Sequence, residues 1–173
     1  MAGWTSARSK REAKALNHSL YRTRFGELAI SPEKIWSCNP KLLGFPDLSN
    51  FCLIHIANQG PFLWLQSLDN PLIAFLVCED KNFGLNYDFL SPDCGSFIPL
   101  VFVILPGSTQ EELRTHELGP LQFCLETRQF RQWIIEQPKR CAAEVQAAPP
   151  TALLPSCIAL AITDPSPSEA GLA

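Results

Sequence analysis

The chain has 173 residues, of which 46% are hydrophobic and 18% are charged, so it can bury a domain-sized core and is not a disordered protein. Its charge is uneven, because residues 1–24 carry a net charge of +5, residues 25–145 one of −6, and residues 146–173 one of −2. An acidic body argues against direct nucleic-acid binding, whose affinity comes from neutralising phosphates, and it suits a basic protein partner.

The basic N-terminal segment, residues 1–21, is predicted to be a flexible arm that is disordered or weakly helical. From Thr23 onward the pattern becomes that of short strands separated by turns. We predict the first three strands at residues 25–30, 34–38 and 51–57.

The most informative stretch contains two apolar runs joined by a short polar turn. The first run, residues 62–67, is followed by Asp69-Asn70-Pro71, and the second run covers residues 72–78. This spacing predicts two adjacent antiparallel strands. Because both runs are almost continuously apolar, we expect both faces of each strand to be buried, with Trp64 in the core.

The second half of the chain completes the predicted sheet. Residues 98–105 form the most β-branched and aromatic run and are predicted to be a central strand, and residues 111–117 a short helix. Residues 122–126 and 132–136 are predicted to close the sheet. The sequence therefore predicts an all-β, mainly antiparallel barrel or sandwich with few short helices over residues 22–141.

The C-terminal segment, residues 142–173, is rich in alanine and proline and is expected to be largely disordered. Its apolar stretch from Leu153 to Ile162 is interrupted by Pro155 and is too short to span a bilayer. We expect that stretch either to dock on the barrel or to act as a short interaction motif.

The seven cysteines are odd in number, widely spaced and mostly set in apolar runs. This usage is typical of free, buried cysteines in a reducing compartment, so no disulfide is expected. The chain has neither an apolar run of membrane-spanning length nor a hydrophobic signal core. These observations predict a cytoplasmic protein without membrane association.

Candidate chemistry is sparse. His55 lies three residues after Cys52, and positions i and i+3 of a strand point to opposite faces, so the two cannot pair locally. The histidines are scattered, and Glu79-Asp80 is expected to be a solvated strand end rather than a metal site. No phosphate-binding glycine motif occurs. We therefore predict a protein that is not an enzyme and that needs no cofactor or metal.

Several blocks of residues occur in a recognisable order and spacing. They are Thr23-Arg24-Phe25-Gly26-Glu27, Leu43-Gly44-Phe45-Pro46-Asp47-Leu48, Gly60-Pro61-Phe62-Leu63-Trp64-Leu65-Gln66-Ser67-Leu68-Asp69-Asn70-Pro71, Ala74-Phe75 and Asn86-Tyr87. Over about residues 22–140 the chain resembles the FliW family of flagellar assembly factors. It departs from the family pattern at residues 79–81 and 117–125.

The resemblance implies a small, monomeric, barrel-like adaptor in the bacterial cytoplasm. Members of that family bind newly made flagellin, in a chaperone-like manner, and also bind CsrA, the translational repressor of flagellin mRNA. Exchange between the two partners couples flagellin export to translation. The acidic body of this chain fits a basic repressor independently.

The predicted partner-binding residues fall at two places. Gln66, Asp69 and Asn70 lie in or beside the turn after the first core strand, whereas Glu79 and Asp80 lie at the end of the second, followed by Tyr87. Adjacent antiparallel strands place these two groups at opposite edges of the sheet, where they could serve different partners. The alternative is a β-barrel interaction domain of a regulatory complex unrelated to flagella.

Overall fold

The computed structural model describes residues 18–90, 95–107 and 112–137, together with the backbone of residues 159–162. The strands are β1 (Ser19–Thr23), β2 (Gly26–Ile30), β3 (Ile35–Cys38), β4 (Asn50–Ile56), β5 (Leu63–Ser67), β6 (Ala74–Glu79), β7 (Phe97–Ile104), β8 (Arg114–Thr115), β9 (Leu121–Cys124), β10 (Gln129–Gln132) and β11 (Ala159–Ile162). Two 3-10 helical turns, Pro32–Lys34 and Asp80–Phe83, are the helical elements of the described residues.

Seven strands close into a barrel. Around the ring the order is β4, β3, β10, β9, β7, β6 and β5, and β5 pairs again with β4. Neighbours are antiparallel except for β3 and β10, which run parallel. The predicted all-β, mainly antiparallel fold is confirmed, and the barrel rather than the sandwich is the architecture. Closure gives every strand of the ring a partner on both sides over at least part of its length.

The barrel interior is filled by interlocking aromatic rings. Trp36 from β3 meets Phe123 from β9 edge to face, with ring centroids 5.0 Å apart. Phe123 in turn stacks on Phe130 of β10 at 4.5 Å. All three side chains are fully buried in the main core. Aromatic pairs in these geometries contribute beyond their burial alone, so the parallel β3–β10 contact is held from inside the barrel.

A hairpin formed by β1 and β2 covers the outside of the barrel over β4 and β5. Its Ile30 packs with the outward residues Cys52 and Ile54 of β4, and Tyr21 and Phe25 add to the same apolar cluster. Gly26, with a φ of 100°, closes the hairpin turn in a conformation that favours glycine. This second layer explains why β4 is apolar on both faces.

The outside of β7 is covered by the segment that follows β6. Leu85, Tyr87 and Leu90 pack on Val101 in a separate cluster, to which Trp133 contributes from beyond β10. The prediction that both faces of the core strands are buried is therefore right where such a cover exists. Trp64 corrects it: the side chain points outward from β5 and is only half-buried, whereas Trp36 is the tryptophan of the core.

Several predicted elements differ from the observed ones. β1 begins at Ser19, inside the segment assigned to the basic arm, whose first 17 residues lie outside the described part. The short helix expected at residues 111–117 is wrong, since Arg114 and Thr115 form β8 against β7. The last strand of the ring is residues 129–132 rather than 132–136.

The C-terminal segment contributes one described element. β11 pairs in parallel with the second half of β4, with Ala159 opposite Leu53 and Ile162 opposite Ile56. For these four residues docking on the barrel is the correct alternative. The remainder of the segment predicted to be disordered lies outside the described residues.

Candidate functional site

The two predicted groups of partner-binding residues lie at opposite ends of the β5–β6 hairpin. Gln66 is opposite Ala74 next to the connecting turn, and Leu63 is opposite Val77 near the other end. Glu79 then pairs with Leu100 of β7 at that far end. The structure therefore brings Gln66, Asp69 and Asn70 together and separates them from Glu79, Asp80 and Tyr87, as the strand pattern predicted.

Gln66 is fully buried and uses its whole amide within the fold. Its Oε1 accepts a hydrogen bond from the backbone N–H of Arg24 at 3.1 Å, which ties the β1–β2 hairpin to the barrel. Its Nε2 has two hydrogens to donate, and these are shared among the carbonyl oxygens of Ser67, Pro71 and Ile73 at 2.7–3.2 Å. Gln66 therefore shapes the turn after β5, and it can affect a partner only through that turn. Its role in partner binding stays a prediction.

Asp69 is exposed and joins the turn to the start of β4. Its Oδ2 accepts hydrogen bonds from the backbone N–H groups of Ser49 and Asn50 at 2.5 and 2.8 Å. Partial burial alone would raise the pKa of Asp69, but these bonds and the nearby Lys41 lower it below its ordinary value. Asp69 therefore remains a carboxylate on the surface at neutral pH.

Asn70 fixes the tip of the same turn. Its Oδ1 accepts the backbone N–H of Leu72 at 3.0 Å, and its own N–H donates to Ser67 Oγ at 3.0 Å. This arrangement presents Leu72 to solvent with 80% of its side chain exposed. Sequence reasoning missed Leu72, because an apolar residue at the start of a predicted strand was assigned to the sheet.

Asp80 corrects the expectation of a solvated acidic strand end. It is 1% exposed, and its carboxylate accepts the backbone N–H groups of Lys81 at 2.8 Å and Tyr87 at 3.0 Å. Burial raises the pKa of Asp80 to about 6, although those two hydrogen bonds act in the opposite direction. Gly84, with a φ of 65°, turns the chain back so that the segment can close around the carboxylate.

Tyr87 is fully buried on the outside of β7. Its hydroxyl donates a hydrogen bond to the carbonyl oxygen of Glu117 at 2.6 Å, which connects this covering segment to the loop before β9. Asp80 and Tyr87 are thus internal supports, and Glu79 is the half-exposed carboxylate of this group. Partner contact at any of the three remains a prediction.

The described residues contain no group of three or more His, Cys, Asp or Glu side chains placed to hold a metal ion. The four described cysteines, at positions 38, 52, 78 and 124, are free and buried. Burial raises the pKa of Cys52 and of Cys78 to about 12, which makes both poor nucleophiles at neutral pH. Among the described residues no helix is long and apolar enough to cross a membrane.

Comparison with known proteins identifies the family. The family model described as FliW protein matches residues 19–144, which span the hairpin and the whole barrel ring. The chain belongs to the FliW family. The flagellar assembly factor FliW of Magnetococcus marinus is 32% identical over 120 residues, covering 64% of this chain and 74% of that protein. FliW of Pseudothermotoga lettingae is 32% identical over 127 residues, covering 68% and 81%.

The fold agrees with a solved FliW structure. A crystal structure of the flagellar assembly factor FliW superposes with a TM-score of 0.57, at 17% identity, and covers 71% of this chain and 94% of that one. FliW proteins carry the name of an assembly factor rather than of an enzyme. This chain is therefore a FliW-family β-barrel.

Proposed function

We propose that this chain is a cytoplasmic adaptor that binds flagellin and a CsrA-type translational regulator, and that exchange between the two relieves repression of flagellin mRNA. The family match over residues 19–144 carries the proposal, because it covers every element that positions the two candidate groups. The acidic body, with a net charge of −6 over residues 25–145, supports capture of a basic RNA-binding repressor.

The separation of the two groups supports a distinct contact for each partner rather than a single shared contact. Leu72 and Asp69 stand at one end of the β5–β6 hairpin and Glu79 at the other. Since Asp80 is buried, Glu79 is the carboxylate through which the second end would meet a basic partner. Rim charges act mainly on association rate and its salt dependence.

Binding of the purified full chain to flagellin and to CsrA from the same organism tests the proposal. We expect each partner to bind alone, and flagellin to reduce the amount of CsrA captured. Failure of the wild type to bind either protein would reject the proposal and favour an interaction domain with partners unrelated to flagella.

A single charge reversal tests the assignment of the second end. Glu79→Lys should slow CsrA association at low salt and flatten its salt dependence, whereas Glu136→Lys, an exposed reversal outside both groups, serves as the matched control. Equal CsrA association rates for the two variants would remove Glu79 from the interface.

A further inference from the structure

The seam between β6 and β7 opens toward one end of the barrel. The pairing of these strands ends at Val77 opposite Phe102. Beyond that point the described partner of β7 is β8, with Val103 opposite Thr115. The described partner of β6 there is β5 alone. The first residues of β6, Ala74 to Leu76, therefore lack a strand partner on their β7 side in the described structure. A groove of about 570 Å³ lies between the two diverging strands.

The groove is lined mainly by apolar side chains, and its rim is exposed. Its floor is a row of half-buried aromatic rings, in which Phe45 meets Phe75 at 5.0 Å and Phe75 meets Phe102 at 5.4 Å, both edge to face. Its rim carries Leu43 and Leu105, which are 71% and 59% exposed. Two exposed leucines beside an aromatic floor in a concave site are features of an apolar binding groove.

The charge of the groove is opposite to that of the body. Among the described residues that line it, Arg24 carries a permanent positive charge and none is a carboxylate. The guanidinium of Arg24 lies 5.9 Å from the ring centre of Trp64, at the outer side of the groove. An anionic group on the occupant would meet Arg24 there, whereas a basic surface would be repelled.

We propose that this groove binds an extended apolar segment of a protein partner that carries a carboxylate, laid along the free edge of β6. The apolar floor takes the apolar side chains, the unpaired edge takes the backbone and Arg24 takes the carboxylate. The identity of that partner rests on the proposed function. A basic RNA-binding repressor does not suit Arg24, so flagellin is the partner assigned to the groove.

The loop before β9 packs against two side chains that line the groove. Gly119 is buried beneath His116 and Gln132, and a Cβ at that position would overlap the His116 ring and meet Gln132 Nε2 at 2.8 Å. Gln132 Oε1 accepts the backbone N–H of Leu43 at 3.3 Å, so it holds the rim. Gly119→Ala should therefore displace both groove side chains without touching the floor.

Matched surface substitutions test the assignment. Leu43→Asp should raise the Kd for flagellin about tenfold or more, whereas Leu20→Asp, at a similarly exposed leucine outside the groove, should not. Arg24→Glu should weaken flagellin binding, with Arg22→Glu as the control of equal charge change. CsrA affinity should be the same in the two members of each pair. Thermal melts check that the variants fold, and Leu105→Asp repeats the test at the other side of the rim.

Equal flagellin affinity in Leu43→Asp and Leu20→Asp would overturn the assignment of flagellin to the groove. A wild type that binds no flagellin would overturn the proposed function. Whether the groove binds an apolar, carboxylate-bearing segment is then tested with a probe that does not depend on flagellin. Random 12-residue peptides selected on the full wild-type chain, and depleted on Leu43→Asp, should be apolar with an acidic residue or a free C-terminal carboxylate. Peptides that bind both chains equally, or a wild-type dimer that Leu43→Asp dissociates, would contradict the proposal.

Discussion

The buried amide of Gln66 makes the sharpest test of how the fold is held. Gln66→Met keeps the length and approximate volume of the side chain but removes the bond accepted from Arg24 and the two N–H donors shared among three carbonyl oxygens of the turn. At about 1 kcal/mol net for the accepted bond and for each of the two donors, and with water replacing part of the loss at the exposed turn, the free energy of unfolding should fall by about 2–3 kcal/mol.

Thermal and urea unfolding of the full chain measure this change. A loss of that size corresponds to a fall in Tm of about 10 °C for a chain of this length. Gln129→Met, at an exposed glutamine on β10, is the matched control and should melt with the wild type. Gln66→Glu should be worse than Gln66→Met at neutral pH, because its second oxygen would face three carbonyl oxygens in a buried site. A Gln66→Met variant that melts within about 2 °C of the wild type would refute the reasoning.

Three further predictions follow from burial and pKa. Burial raises the pKa of Asp80 to about 6 from 3.8, so the folded chain binds a proton that the unfolded chain releases between these values; stability should fall as pH rises through this window, and Asp80→Asn should flatten that part of the Tm–pH curve. The lowered pKa of Asp69 has the opposite sign: its stabilisation should be present above pH 3.8 and be lost as pH falls further, and Asp69→Ala should remove that dependence at a cost of about 1 kcal/mol at pH 7. Trp36→Ala should cost about 3–5 kcal/mol in urea unfolding, and Trp64→Ala clearly less, since Trp64 is half-buried; equal costs would contradict the assigned inside and outside of the barrel.

The apolar runs predicted most strands because the strands of the ring supply most of the buried residues of the main core. The strand after β9 was displaced in the prediction by the stronger apolar run at residues 132–136. The observed register is set by a tight turn instead, in which Arg128 has a φ of 56° and its N–H donates to the carbonyl of Cys124 at 3.1 Å. Trp133 and Ile135 then pack outside the barrel. The turn, rather than the apolar run, therefore sets the position of β10. A single sequence does not reveal which of the two signals determines where a strand lies.

The sequence predicted where the candidate residues lie along the hairpin, but not which of them are exposed. The two apolar runs joined by a turn placed that turn and Glu79 at opposite ends of the hairpin, because antiparallel pairing alone requires it. The burial of Asp80 depends on Tyr87, seven residues away, and the burial of Gln66 depends on Arg24 in a separate hairpin. Such contacts across the chain decide whether a polar residue near a strand end is a surface contact or an internal support, and composition carries no signal for them.

Strands that are apolar on both faces require a second layer outside the barrel, and two segments of this chain supply such a layer. The β1–β2 hairpin covers β4, and the segment through Tyr87 covers Val101 of β7. Where β6 and β7 separate, Leu43 in the β3–β4 connection and Leu105 just beyond β7 are exposed, and no described segment covers them. Exposing apolar surface brings no gain in stability to the isolated domain. The uncovered part of the pattern is therefore best explained by an occupant outside the described chain, which is why the groove, rather than the acidic turns, is the place where a partner's apolar segment should be sought first.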